Sequence, residues 1–169
     1  MKAAGAILAV AVALAVQTTL ARFLVRGSVA VDLVLVAVVY VALTSGPVTG
    51  MLTGTFAGLV QDALSSGVIG IGGLAKTIVG FLAGIIGTQF IVAQPLPRFV
   101  VFFSATVLHA VIFMGLYVLL DVRHFGTPYA AAIGQAVGNA VVGVVAFQLV
   151  ELLPGAMERR RAARTRLRR

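Results

Sequence analysis

The chain contains no cysteine. This excludes disulfides, thiolate nucleophiles and sulfur-ligated metal sites. Two histidines, His109 and His124, are too few for a multi-histidine metal centre. Charge is also scarce, at 11% of 169 residues, against about 25% in a soluble domain. With five acids in all, no paired carboxylates, metal triad or activated hydroxyl can be picked out, so the sequence points away from an enzyme and implies no cofactor.

What is abundant is apolar. The composition is 60% hydrophobic and the mean hydropathy is +1.10. One small core cannot hide that much apolar surface, so the chain reads as an all-α integral membrane protein. Its length suits six transmembrane helices of roughly 20 residues each, joined by short turns. Residues 1–155 are expected to form this domain and residues 156–169 a basic cytoplasmic tail.

Residues 1–21 have the look of a secretory signal, with Ala13-Leu14-Ala15 as a cleavage-like site. Because further apolar segments follow, they are read as a retained first helix, with Gln17 and Thr18 as packing contacts near its end. Arg22 and Arg26 mark the exit from the membrane. Asp32 is placed to cap a short second helix over residues 33–43. Thr44-Ser45-Gly46-Pro47 signals a turn, with Pro47 in the first turn of a third helix that reaches residue 64. A fourth helix begins near residues 69–73 and is expected to reach Val92. Gln94-Pro95-Leu96-Pro97-Arg98 reads as a tight connection to a bulky, lipid-facing fifth helix over residues 99–120. After a polar loop, Thr127 and Pro128 suit the start of a sixth helix, which is expected to stop at Leu153-Pro154-Gly155.

The net charge of +8 comes mostly from one place. Seven of the thirteen basic residues are Arg159, Arg160, Arg161, Arg164, Arg166, Arg168 and Arg169. Six spans put both termini on one side, which collects Lys2, Arg98 and these arginines, nine against three for Arg22, Arg26 and Arg123. The positive-inside rule then makes both termini cytoplasmic. The arginine cluster reads as a topology determinant and a contact for anionic membrane lipids. It lacks aromatics for stacking bases, so nucleic acid is not an expected partner.

Glycines recur every fourth residue at Gly46, Gly50, Gly54 and Gly58, a stripe that Asp62 continues. A second run carries Gly73, Lys76, Gly80, Gly84 and Gly87. Glycine inside a helix costs roughly 1 kcal/mol against alanine, and in membranes small residues let helix backbones approach closely. Gly50, Gly54, Gly58, Gly80 and Gly84 are therefore candidates for glycine-rich helix packing or a partner interface. Asp62 and Lys76 bracket the intervening loop and form a candidate polar pair. They are either an interfacial ion pair, with Lys76 snorkelling outwards, or the floor of a ligand or partner site. His109, Gln135 and Asn139 are intramembrane polar residues. His109 reads as a packed, hydrogen-bonded residue, and Gln135 and Asn139 as hydrogen-bonding partners across helices.

Gly50-x-x-x-Gly54-x-x-x-Gly58-Leu59-x-x-Asp62, then Gly70-x-x-x-Leu74-x-Lys76, together with the Asp32-Leu33 helix entry, resembles the bacterial MreD family. Val31 departs from the family pattern, which has proline before the Asp-Leu pair. The resemblance implies a non-enzymatic membrane scaffold subunit of the cell-elongation complex that maintains cell shape. It implies MreC as direct partner, with MreB filaments and the sidewall glycosyltransferase and penicillin-binding transpeptidase of peptidoglycan synthesis as further partners. It also implies an S-component-like bundle, similar to the substrate-binding subunits of energy-coupling-factor transporters. The alternative is a vitamin-type substrate-binding subunit of a membrane transporter.

Overall fold

The computed structural model describes residues 2–23, 31–65, 68–90, 94–121 and 129–166. Arg26, Ser66, Gly67, Val92, Arg123, Thr127, Pro128, Arg168 and Arg169 lie outside them. The described residues fold into six helices: α1 (Lys2–Phe23), α2 (Leu33–Ser45), α3 (Pro47–Leu64), α4 (Ile71–Gln89), α5 (Pro95–Leu119) and α6 (Tyr129–Arg166). Ile71–Gln89, Pro95–Leu119 and Ala130–Leu152 are each long and apolar enough to cross a membrane, and Ala4–Thr19 and Leu33–Ser45 are shorter apolar helices. The chain is a membrane protein of helical build.

The shortest helix is the centre of the bundle. α2 packs against each of the other five helices, and Val34, Leu35, Val38, Val39 and Ala42 are essentially inaccessible. Its sequence is apolar on every side, as a helix buried all round must be. Its thirteen residues span only about 20 Å. α2 turns into α3 through a single residue, Gly46, whose φ of +91° and ψ of 177° suit a residue without Cβ. Pro47 then takes the first position of α3, where its missing N–H is not needed.

Beside α2, α3 and α4 lie backbone to backbone. A methyl group built on Gly54 would run into the Lys76 carbonyl, one on Gly50 into the Gly80 carbonyl oxygen, and one on Gly84 into Pro47. The other pair, α5 and α6, is joined by bulk. Phe102 is 1% exposed and lies against Gly143, where a Cβ would come within 2.6 Å of its ring.

α4 ends at Gln89, short of the expected Val92, and two further boundaries differ more from the sequence expectation. Gln94-Pro95-Leu96-Pro97-Arg98 is not a connection but the opening of α5, with Gln94 as N-cap and Pro95 at the first position. Prolines are tolerated there because first-turn N–H groups lack helical acceptors anyway. α6 does not stop at Leu153-Pro154-Gly155 but runs to Arg166. The residues beyond Pro154 are mostly Ala, Arg, Glu and Met, which are strong helix formers. Arg159, Arg160, Arg161, Arg164 and Arg166 thus fall on a continuation of the last helix.

Candidate functional site

All six helices deliver a polar group to the N-terminus of α2. A helix start leaves backbone N–H groups without internal partners, and this one is inside the bundle. Asp32, 6% exposed, caps it: Oδ1 accepts from the Leu35 N–H at 3.0 Å. Gln17 of α1 accepts from the Val34 N–H at 3.2 Å. Asn139 of α6 accepts from the Asp32 N–H at 2.7 Å.

The carboxylate draws in the rest. Lys76 of α4 places Nζ 3.2 Å from Asp32 Oδ2. The same Nζ lies 3.2 Å from His109 Nε2 on α5. An ammonium group only donates, so Nε2 of His109 is the acceptor and the ring proton sits on Nδ1. His109 also stacks on Phe113, with centroids 5.7 Å apart. Gln61 of α3 donates a long contact of 3.5 Å to Asp32 Oδ1, while its buried Oε1 has no partner among the described residues. Asn139 is fully buried and donates to Thr106 at 3.1 Å. Thr106 in turn donates to the Phe102 carbonyl at 2.8 Å.

This corrects the polar pair read from the sequence. Lys76 neither joins Asp62 nor snorkels; it points inwards and is 3% exposed. Asp62 caps α4 instead, its Oδ2 accepting from the Gly70 and Gly73 N–H groups at 2.9 and 3.1 Å. Gly70, at the N-cap with a φ of +106°, offers no side chain for that role. A carboxylate at a helix N-terminus is also favoured by the helix dipole. The loop that separates the two residues thus folds back on Asp62, and Lys76, one turn further on, meets Asp32 from a different helix.

Chemically, the hub is a buried ion pair with its hydrogen-bonding capacity largely satisfied from within. Among the described residues no group of three or more His, Cys, Asp or Glu is placed to hold a metal ion. Buried pairs of this kind add little net stability against apolar residues of the same shape, yet breaking one partner away is costly. The arrangement therefore joins side chains of all the helices around one buried charge pair.

The profile of the rod shape-determining protein MreD matches residues 3–153. The chain belongs to the MreD family. The match takes in the hub and all six helices as far as Leu153. A search of curated proteins found no match, and neither did a search of solved structures. MreD proteins are shape-determining structural proteins rather than an enzyme family, and the role of this chain is rod-shape determination.

Of the candidate residues, the structure brings Lys76, His109 and Asn139 into the hub. Gln135 is half-buried and makes no hydrogen bond among the described residues. Gly50, Gly54, Gly58, Gly80 and Gly84 lie in the α3–α4 seam or against the α2–α3 turn. Sequence reasoning missed Gln61 and Thr106, and saw Gln17 only as a packing contact and Asp32 only as a cap. One pattern could have found them: each apolar segment carries a strongly polar residue, and on a folded bundle these meet. It also missed Arg98, read as a loop charge. Arg98 is buried at the start of α5, with Nη1 donating to Glu151 Oε2 of α6 at 2.9 Å and its guanidinium 4.3 Å from the Phe147 ring centre.

Proposed function

We propose that this MreD protein is a non-enzymatic scaffold of the cell-elongation complex, with six spans and both termini in the cytoplasm of the bacterial inner membrane. It binds MreC directly and links cytoplasmic MreB filaments to the sidewall glycosyltransferase and penicillin-binding transpeptidase outside. The family match over residues 3–153 carries this reading. The hub supports it: its polar groups bind one another, Asp32 to Lys76 and Asn139 to Thr106. A vitamin-type carrier needs several polar groups converging on open space. A scaffold needs a bundle that keeps its shape while other proteins hold its outer faces.

The test is co-purification from native membranes with MreC co-expressed. The scaffold reading expects MreC to remain bound through detergent extraction. A preparation without MreC that carries a stoichiometric small molecule would overturn it in favour of the carrier.

A further inference from the structure

A groove of about 690 Å³ opens between α1, α2 and α6. Leu8, Val12 and Val16 line it from α1, Ala37 from α2, and Ala146 and Val150 from α6. Among the described residues α1 and α6 make no close backbone approach to each other; the groove is the space between them. At about 30 Å³ per water-sized group, it has room for roughly twenty such groups, the order of one hydrocarbon chain.

The two ends of the groove differ. One lies by Val16 and Leu33, close to the hub. The other lies by Gly5, Thr44, Ser45 and Val150, and it is the basic end of the molecule. Lys2 opens α1 three residues before Gly5, and α6 continues past Val150 into the segment that carries Arg159, Arg160 and Arg161. The first turn of α1 adds unpaired N–H groups and the positive end of a helix dipole. Ser45 offers a hydroxyl that makes no hydrogen bond among the described residues. Of the two acids at this end, Glu151 is held by Arg98 through both carboxylate oxygens, and Glu158 is outnumbered by the arginines that follow it.

We propose that the groove seats an anionic phospholipid, with an acyl chain between α1 and α6 and the phosphate at the Thr44–Ser45 end. Charge decides against a foreign transmembrane helix. Such a helix carries its own basic flank on the cytoplasmic side, which would face the basic end of the groove. A phosphate there is attracted instead, at roughly fivefold in affinity per basic residue near it. The lipid bridges α1 and α6, which the protein leaves apart. This site is separate from the MreC reading, and only the choice of a lipid over a helix rests on the proposed cytoplasmic placement of the termini.

The chain has no tryptophan, so a single introduced one reports its own surroundings. Leu8→Trp places it in the groove. Val100→Trp places it on the lipid-facing side of α5, also near a helix start; both native residues are well exposed, at 66% and 53%. Each full-length variant is reconstituted into phosphatidylcholine vesicles containing increasing phosphatidylglycerol brominated on its chains. The Leu8→Trp fluorescence should be half-quenched at a mole fraction about fivefold lower than that of Val100→Trp. Brominated phosphatidylcholine, titrated into unlabelled phosphatidylglycerol, should show no such advantage. Ala37→Phe, which fills the groove from its floor, should bring the Leu8→Trp curve onto the Val100→Trp curve. If that variant fails to fold, the two lipids and two positions still decide the matter. Coincident curves for the two positions, or equal quenching by both lipids, would overturn the proposal. So would a Leu8→Trp signal that neither lipid quenches, which would mark the groove as filled by protein.

Discussion

The two halves of the bundle are held together in opposite ways. In the α3–α4 seam, side chains are removed so that backbones meet, as at Gly54 against the Lys76 carbonyl. In the α5–α6 seam side chains fill the space: Phe102 against Gly143, Asn139 against Thr106, and Arg98 against Glu151 and Phe147. Dispersion contacts serve both, but the first seam rests on side chains that are missing and the second mainly on side chains that are present. The hub ties the halves, since Lys76 comes from the glycine side and His109 and Asn139 from the bulky side.

The largest effect should follow from cutting that tie. Lys76→Met leaves Asp32 buried without its cation, and losing one partner of such a pair costs about 3–5 kcal/mol. Unfolding of the purified protein in detergent should show the loss as a large drop in midpoint. Lys76→Met combined with Asp32→Asn should recover part of it, because no lone charge remains. A double variant as damaged as the single one would mean that the pair is not what joins the halves.

Next come two glycines, one inside the α3–α4 seam and one outside any seam. Gly54→Ala puts a methyl group into the α4 backbone, and overpacking of this kind costs about 1–3 kcal/mol. Gly134 of α6 has nothing within 4 Å of an added Cβ. Gly134→Ala should therefore be neutral or stabilise by up to about 1 kcal/mol through helix propensity. Equal melting shifts for the two variants would mean that the α3–α4 seam does not depend on its missing side chains.

These differences explain what could be read in advance. Short-range signals were legible: Asp32 as a cap, Pro47 at a helix start, and the four-residue glycine spacing all act within one or two turns. The partners of Lys76 were not. Asp62 is nearer in sequence, but it is drawn to the N–H groups of Gly70 and Gly73, while Asp32 reaches Lys76 only because α2 is central. Nothing in the apolar sequence of α2 distinguishes a central helix from a lipid-facing one, since lipid and protein interior are equally apolar. Arg98 was misread for a related reason. Two prolines beside it look like a linker, and the acid that receives it lies more than fifty residues away on α6.

The smallest effect is expected at that last junction, and it can show whether the bulky seam relies on charge. The Arg98 side chain is 5% exposed and that of Glu151 55%, so the two partners differ in what their loss leaves behind. Phe147, on which the guanidinium lies, also tilts against Tyr40 of α2 at 4.7 Å, so Arg98 supports packing as well as carrying charge. Glu151→Gln keeps an amide oxygen that can accept from Arg98, and the altered group faces solvent. Its melting shift should be smaller than that of Gly54→Ala. Arg98→Met removes the cation from the Phe147 face and should shift melting further than Glu151→Gln does. The Glu151→Gln effect should also shrink in high salt, as an exposed ion pair is screened. If instead Glu151→Gln proved as damaging as Lys76→Met and indifferent to salt, the α5–α6 seam would depend on a second charge lock rather than on filled space.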